Sequence, residues 1–76
     1  MREQIKQTLE ECLPIVDLES DFLFSELDSL SITTILMVLS EKYGIKLESK
    51  DVTPRNFQSL DSIVRMVQSK LLNHDA

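Results

Sequence analysis

The residues best placed to do chemistry are Asp28, Ser29 and Leu30, which stand where a polar stretch meets a segment with helical apolar periodicity. Asp28 is a good N-cap residue, because its side-chain oxygen can accept from the unpaired N–H groups of a first helical turn. Ser29 then takes the first helical position, where we expect its hydroxyl to be exposed, fixed in place and open to covalent modification. The tripeptide alone is a weak signal, since many helices begin with such residues for stability only.

Cys12 and His74 offer little further chemistry. A single cysteine forms no intramolecular disulfide, and one cysteine with one histidine makes no zinc site. Cys12 is in phase with the apolar residues of the first segment, so we expect it in the core as a small apolar residue. A hydrolytic triad of Ser29, Asp28 and His74 is disfavoured, because Asp28 already serves as the helix cap and nothing else orients the histidine.

Length and composition favour one small helical domain over residues 1–76. A chain of 76 residues buries only about 60% of its unfolded surface, which leaves little room for an enclosed active site. We therefore expect a protein that is not itself an enzyme. With 42% hydrophobic residues, one glycine and two prolines, the chain is too apolar for disorder and too poor in turn residues for an all-β fold.

The charge and hydropathy of the chain limit the kinds of molecule and membrane with which it can associate. The net charge is −5, and residues 1–28 hold eight acidic against two basic residues. Nucleic acid is an unsuitable ligand, because phosphate binding needs clustered lysine and arginine, whereas basic proteins suit this surface. The polar opening is unlike a signal peptide, and no run of 18 apolar residues could span a bilayer. We expect a soluble cytoplasmic monomer.

The first helix is predicted near residues 2–13, where apolar residues recur at helical spacing until Pro14 disfavours continuation. Residues 14–28 show no clear period and predict a long loop that its own apolar side chains hold against the core. These side chains are Leu18, Phe22, Leu23, Phe24 and Leu27.

The second helix is predicted from about Ser29 to Tyr43, and Gly44 can take the left-handed conformation that ends it. Its expected core face consists of Ile32, Ile35, Leu36, Leu39 and Tyr43. On the same helical wheel Leu30 and Met37 lie roughly opposite, with Thr33 to one side. We call Leu30, Thr33 and Met37 the exposed strip and expect it to dock partner proteins beside Ser29.

The sequence after Gly44 predicts one short helix and one long helix. Thr53 and Pro54 suggest an N-cap and first position for a short helix through Phe57, whose side chain should point inward. Ser59 can cap a last helix, which ends in a polar tail from Asn73. Its core face comprises Leu60, Ile63, Val64, Val67 and Leu71. The fold class is therefore all-α, a small four-helix bundle of three main helices and a short one.

The order and spacing of these segments resemble acyl and peptidyl carrier proteins over nearly the whole chain. The matching features are the polar first helix, the acidic loop, Asp28-Ser29-Leu30, the helix ending in Glu41-Lys42-Tyr43-Gly44, and the stretch from Thr53 to Ile63. The resemblance implies that Ser29 carries 4'-phosphopantetheine, attached covalently from coenzyme A. It also implies that the installing transferase reads Asp28 and Leu30, that Met37 belongs to the partner-facing strip, and that Phe57 and Leu60 mark the start of the last helix.

Two features depart from the usual family pattern. The family usually has glycine one or two residues before the aspartate, whereas Glu26 and Leu27 stand here. The second helix is strongly acidic in fatty-acid carriers, but here it has only Glu41 and Lys42 as charges. The chain looks more like stand-alone carriers that serve amino-acid-activating or polyketide-type enzymes.

The function implied is to carry an acyl or aminoacyl group as a thioester and present it to partner enzymes. The partners would be a phosphopantetheinyl transferase, an activating ligase, and downstream transferases or synthases, with Glu26 and Asp28 contacting basic surfaces on them. Two alternatives stay open: a D-alanyl carrier for cell-envelope modification, and an unmodified helical interaction module with the carrier fold.

Overall fold

The computed structural model describes residues 1–72 of the chain. These residues contain three long helices and one short helix, joined by loops and turns. The helices are α1 (Arg2–Cys12), α2 (Leu23–Glu26), α3 (Ser29–Tyr43) and α4 (Leu60–Leu72), and a 3-10 turn spans Ser49–Asp51. The described residues contain no strand, so the all-α fold class and the bundle of three main helices with a short one are confirmed. None of these helices has the length and apolar character needed to cross a membrane.

Both ends of α3 follow the local rules for helix termini. Asp28 Oδ1 accepts a hydrogen bond of 2.7 Å from Ser31 N, which satisfies one of the unpaired donors of the first turn. At the other end Gly44 has φ 62°, and its N–H donates to the Ser40 carbonyl. An added Cβ at Gly44 would meet no atom within 4 Å, so the glycine is needed for its backbone conformation and not for space. The predicted bounds of this helix are confirmed.

The core is apolar and draws on every long helix. α1 packs against α3 and α4, and Phe57 is fully buried, as the sequence predicts. On α3, Ile35 and Leu39 are fully buried, whereas Ile32 is half-buried at the edge of the core. The buried residues are Ile5, Leu9, Leu18, Leu23, Ile35, Leu39, Ile45, Phe57, Leu60, Ile63, Val64, Met66 and Val67.

The short helix lies at a different position from the one predicted. Residues 54–57 form a single turn, in which Phe57 N donates to Thr53 O at 3.1 Å and Asn56 N donates to Thr53 Oγ1 at 3.0 Å. Thr53 does cap this turn, but the turn does not continue as a helix. Ser59 caps the start of α4 as predicted, since its Oγ accepts from Ser62 N at 3.3 Å.

The one-turn helix α2 instead interrupts the segment predicted as a loop. Leu23 is fully buried, and its N–H donates to Gln58 O at 2.9 Å. Four residues are too few to show a helical period in sequence, which explains why α2 was not predicted. The expectation that apolar side chains hold this segment to the core is correct for Leu18 and Leu23, which are buried, and for Phe24 and Leu27, which are half-buried against the core. It is wrong for Phe22, whose side chain is 74% exposed.

Cys12 is exposed, so its predicted place in the core is wrong. The cysteine is the last residue of α1, and the chain turns out of the helix at Leu13, where φ is −131°. Cys12 is in phase with Ile5 and Leu9, but a side chain in phase with the core is buried only where another element covers its turn of the helix.

Ion pairs join the first loop to α1 and α4. Arg2 contacts Glu19 and Asp61, each at 2.7 Å, and Lys6 Nζ lies 2.9 Å from Glu19 Oε2. These pairs are partly exposed and contribute little to stability one by one. Because one arginine contacts two elements, they help to set how the loop lies across the ends of α1 and α4.

Candidate functional site

Ser29 is exposed at the first position of α3, where the sequence places it. Its carbonyl accepts from Thr33 Oγ1 at 2.9 Å, so its backbone is held within the helix. Within residues 1–72 the Ser29 hydroxyl makes no hydrogen bond. The structure therefore presents a positioned alcohol with its oxygen open to another molecule.

The electrostatics around Ser29 are set by the helix terminus and by Asp28. The hydrogen bond from Ser31 N lowers the pKa of the Asp28 carboxyl below its usual 3.8, which keeps it ionised at neutral pH. The same bond makes Asp28 an unsuitable base for Ser29. The N-terminus of the 15-residue α3 carries a partial positive charge, which favours a phosphodiester attached at this point and counteracts its repulsion from the Asp28 carboxylate.

No other group around Ser29 completes a catalytic site in the described chain. No group of three or more His, Cys, Asp or Glu residues between 1 and 72 could hold a metal ion. His74, which a triad would need, lies outside the described residues.

The approach to Ser29 does not require the glycine that the family usually has. Leu27 has φ −99° and ψ 136°, and Asp28 has φ −100° and ψ 178°, both ordinary extended conformations. No residue other than glycine has a positive φ within residues 1–72. Glu26 and Leu27 therefore replace glycine without backbone strain, and α2 delivers the chain directly to the cap of α3.

The exposed strip lies on the same helix as Ser29. Leu30 is 76% exposed and Met37 is 61% exposed, and Thr33 lies exposed between them. Glu26 is also exposed, at the end of α2 and two residues before the cap. Glu26, Asp28 and the exposed strip are thus all exposed and lie on or next to the helix that begins at Ser29.

A groove beside the exposed strip was not predicted from the sequence. It has a volume of about 620 Å³ and lies between α3 and the segment after Gly44. Leu36 and Met37 form its α3 side, and Leu47 forms the other, where Leu47 N donates to Ser40 Oγ at 3.3 Å. The sequence signal was weak, because Ile45-Lys46-Leu47 is only a three-residue alternation that indicates Ile45 and Leu47 share a side.

The residues present fit a covalently attached phosphopantetheine. A phosphodiester needs an accessible hydroxyl, a favourable potential for its negative charge and open space for a long arm. The exposed Ser29, the N-terminus of α3 and the adjacent groove supply these three.

Comparison with known proteins identifies the family. The family model for the phosphopantetheine attachment site matches residues 2–68, which is most of the chain. Comparisons with curated proteins and with solved structures give no match. The chain therefore belongs to the phosphopantetheine attachment family, whose members carry covalent 4'-phosphopantetheine and act as carriers, not as enzymes.

Proposed function

We propose that Ser29 carries the 4'-phosphopantetheine and that residues 1–76 act as one cytoplasmic, monomeric carrier domain. The observation that supports this most is the exposed Ser29 hydroxyl, which makes no hydrogen bond within residues 1–72, at a capped helix terminus. Ser31 is a poorer candidate, because its N–H and side chain both interact with Asp28. Ser25 is exposed too, but it lies inside the one-turn α2 and has no such terminus beside it.

The chain's own contribution is position and recognition. When attached, the group supplies a thiol on a flexible arm, which binds the cargo as a thioester. Glu26 and Asp28 offer negative charge to a basic transferase, and Leu30 and Met37 offer apolar contact area. Such exposed contacts are weak one by one, which suits a carrier that must leave one enzyme for the next.

The test is modification of the full chain by a broad-range phosphopantetheinyl transferase with coenzyme A. We expect a mass gain of one prosthetic group, and no gain for Ser29→Ala. Ser25→Ala is the matched control, because it removes an exposed hydroxyl four residues away and should be modified like the wild type. A mass gain that persists in Ser29→Ala would contradict the assignment of Ser29.

The cargo we propose is an acyl or aminoacyl group from an amino-acid-activating or polyketide-type pathway. Support comes from α3, whose first turn has no acidic residue and whose charges are confined to Glu41 and Lys42. Partners that bind strongly acidic fatty-acid carriers would find few contacts on this helix. Loading assays with adenylating ligases of different specificity test the proposal, and loading by a D-alanine ligase alone would instead favour the D-alanyl carrier.

The remaining rival is an unmodified interaction module. The absence of glycine before Asp28 is the sequence feature that favours it, but the ordinary backbone angles of Leu27 and Asp28 weaken this support. The mass of the protein purified from its native host distinguishes the two. Complete absence of the prosthetic group there would favour the module.

A further inference from the structure

A second concave surface lies between the 51–58 segment and α4, and none of its residues belongs to the site around Ser29. Its volume is about 600 Å³. Arg55 and Gln58 line one side, and Ser62 and Arg65 line the α4 side. Asp51 and Lys70 also line it and form an ion pair of 3.1 Å. We call this surface the arginine cleft.

The arginine cleft has an excess of positive charge on an acidic protein. Arg55 and Arg65 are both exposed, and neither forms an ion pair with any carboxylate within residues 1–72. Arg2, by contrast, contacts Glu19 and Asp61. In a chain with net charge −5, these two arginines of one cleft have no ion-pair partner within residues 1–72 and are available to an external anion.

The acidic residue of the cleft does not oppose such an anion. Asp51 Oδ1 is paired with Lys70 Nζ, and Asp51 Oδ2 accepts from Glu48 N at 2.9 Å. The pair is largely shielded, with side-chain exposures of 13% for Asp51 and 30% for Lys70. The charge of Asp51 is thus compensated, and the net charge that the cleft offers to a ligand is that of the two guanidinium groups.

The shape and chemistry of the cleft favour a compact ligand with a phosphate group. A guanidinium donates paired N–H groups that match the oxygens of a phosphate, and a phosphate dianion attracts two arginines more strongly than a single carboxylate does. Gln58 and Ser62 add neutral polar groups. A volume of about 600 Å³ is large enough to admit a small phosphorylated molecule. We propose that the arginine cleft binds the phosphate group of a small phosphorylated molecule.

Phosphate binding at the arginine cleft is separate from the carrier function, so its test does not require the attached phosphopantetheine. The full chain, labelled with 15N, is titrated with inorganic phosphate, with a nucleoside monophosphate and with a hexaglutamate peptide while amide NMR shifts are recorded. We expect saturable shifts that centre on residues 55–58 and 62–70 for the two phosphate compounds. The variant with both Arg55→Gln and Arg65→Gln should bind them about tenfold more weakly or worse.

Lys42→Gln is the matched control, because it removes one exposed positive charge of α3 that has no ion pair within residues 1–72. It should leave the affinity unchanged. Both arginines are exposed, so circular dichroism should show that the double variant folds normally. The proposal is overturned by an absence of saturable shifts, by an equal loss of affinity in Lys42→Gln, or by tighter binding of hexaglutamate than of either phosphate compound, which would indicate an acidic protein partner.

Discussion

At the scale of single residues, Asp28 has two roles that substitution can separate. Its carboxylate accepts from Ser31 N at 2.7 Å, and it carries a negative charge next to Ser29. Asparagine keeps a capping oxygen without the charge, whereas alanine removes both.

We predict that Asp28→Ala lowers the urea midpoint of unfolding, because α3 loses its cap. Asp28→Asn should stay close to the wild type in stability and yet be modified more slowly by the transferase, because the charge is absent. Urea unfolding followed by circular dichroism and a timed mass measurement check these expectations. If Asp28→Asn is modified at the wild-type rate, the transferase does not recognise the negative charge of Asp28, and this residue acts only as a helix cap.

The sequence predicts these residues well because their roles depend on near neighbours. Asp28 as the cap, Ser29 as the first helical residue and Gly44 as the left-handed end each follow from rules that act within a few residues. The exposure of Cys12 and Phe22 depends on which distant segment covers them, and no local pattern contains that information. The burial of the Tyr43 hydroxyl, which has no hydrogen-bond partner within residues 1–72, also depends on distant segments.

At the scale of elements, the one-turn α2 connects the segment before Ser29 to the segment before α4. Leu23 supplies both connections, a buried side chain and a hydrogen bond from its N–H to Gln58 O. Its neighbour Phe22 is larger and equally apolar but 74% exposed. The two residues therefore form a natural test of what holds the loop.

We predict that Leu23→Ala costs about 2–5 kcal/mol of the free energy of unfolding, because it leaves a cavity in the core. This is a large share of a total that is roughly 4–11 kcal/mol for a chain of this length. Phe22→Ala, the control, should change stability by no more than about 0.5 kcal/mol. Urea unfolding of both variants provides the measurement, and a larger effect for Phe22→Ala would contradict the described packing of the loop.

The sequence predicts the long helices, but it does not predict the arginine cleft or the groove beside the exposed strip. α3 and α4 carry apolar periods over three or more turns, which predicts both helices and most of their inner faces. On α4, however, Met66 is buried without having been predicted, and Leu71 is only half-buried. The groove beside the exposed strip and the arginine cleft each form where two segments meet that are separated along the chain. Their volumes depend on tertiary packing that periodicity does not encode.

At the scale of the whole molecule, several carboxylates are stabilised in their charged form. The hydrogen bond from Lys6, followed by that from Arg2, lowers the pKa of Glu19 below its usual 4.5. Lys50 lowers the pKa of Glu48 in the same way, and Ser31 N lowers that of Asp28. A carboxyl whose pKa is lower in the folded than in the unfolded state adds stability above the unfolded value, and this stability is lost as the pH falls through the folded value.

We therefore predict that the urea midpoint is nearly constant from about pH 7 to pH 5 and falls steadily below about pH 4.5. Glu19→Gln should show a smaller fall, because one contributing carboxylate is absent. About 1 M salt should also reduce the difference between neutral and acid pH, since these groups are exposed and are screened. A midpoint that rises on acidification would contradict the expected sign.

The two sides of α3 have separate tasks, and this separation affects how the protein can change over time. Ile35 and Leu39 hold the helix in the bundle, whereas Leu30, Thr33 and Met37 face outward and contribute almost nothing to the core. Mutations on the outer side can therefore accumulate without loss of folding. With the docking role proposed for the exposed strip, a few such substitutions would exchange one enzyme partner for another, while Ser29, the proposed attachment residue, and the bundle stay intact.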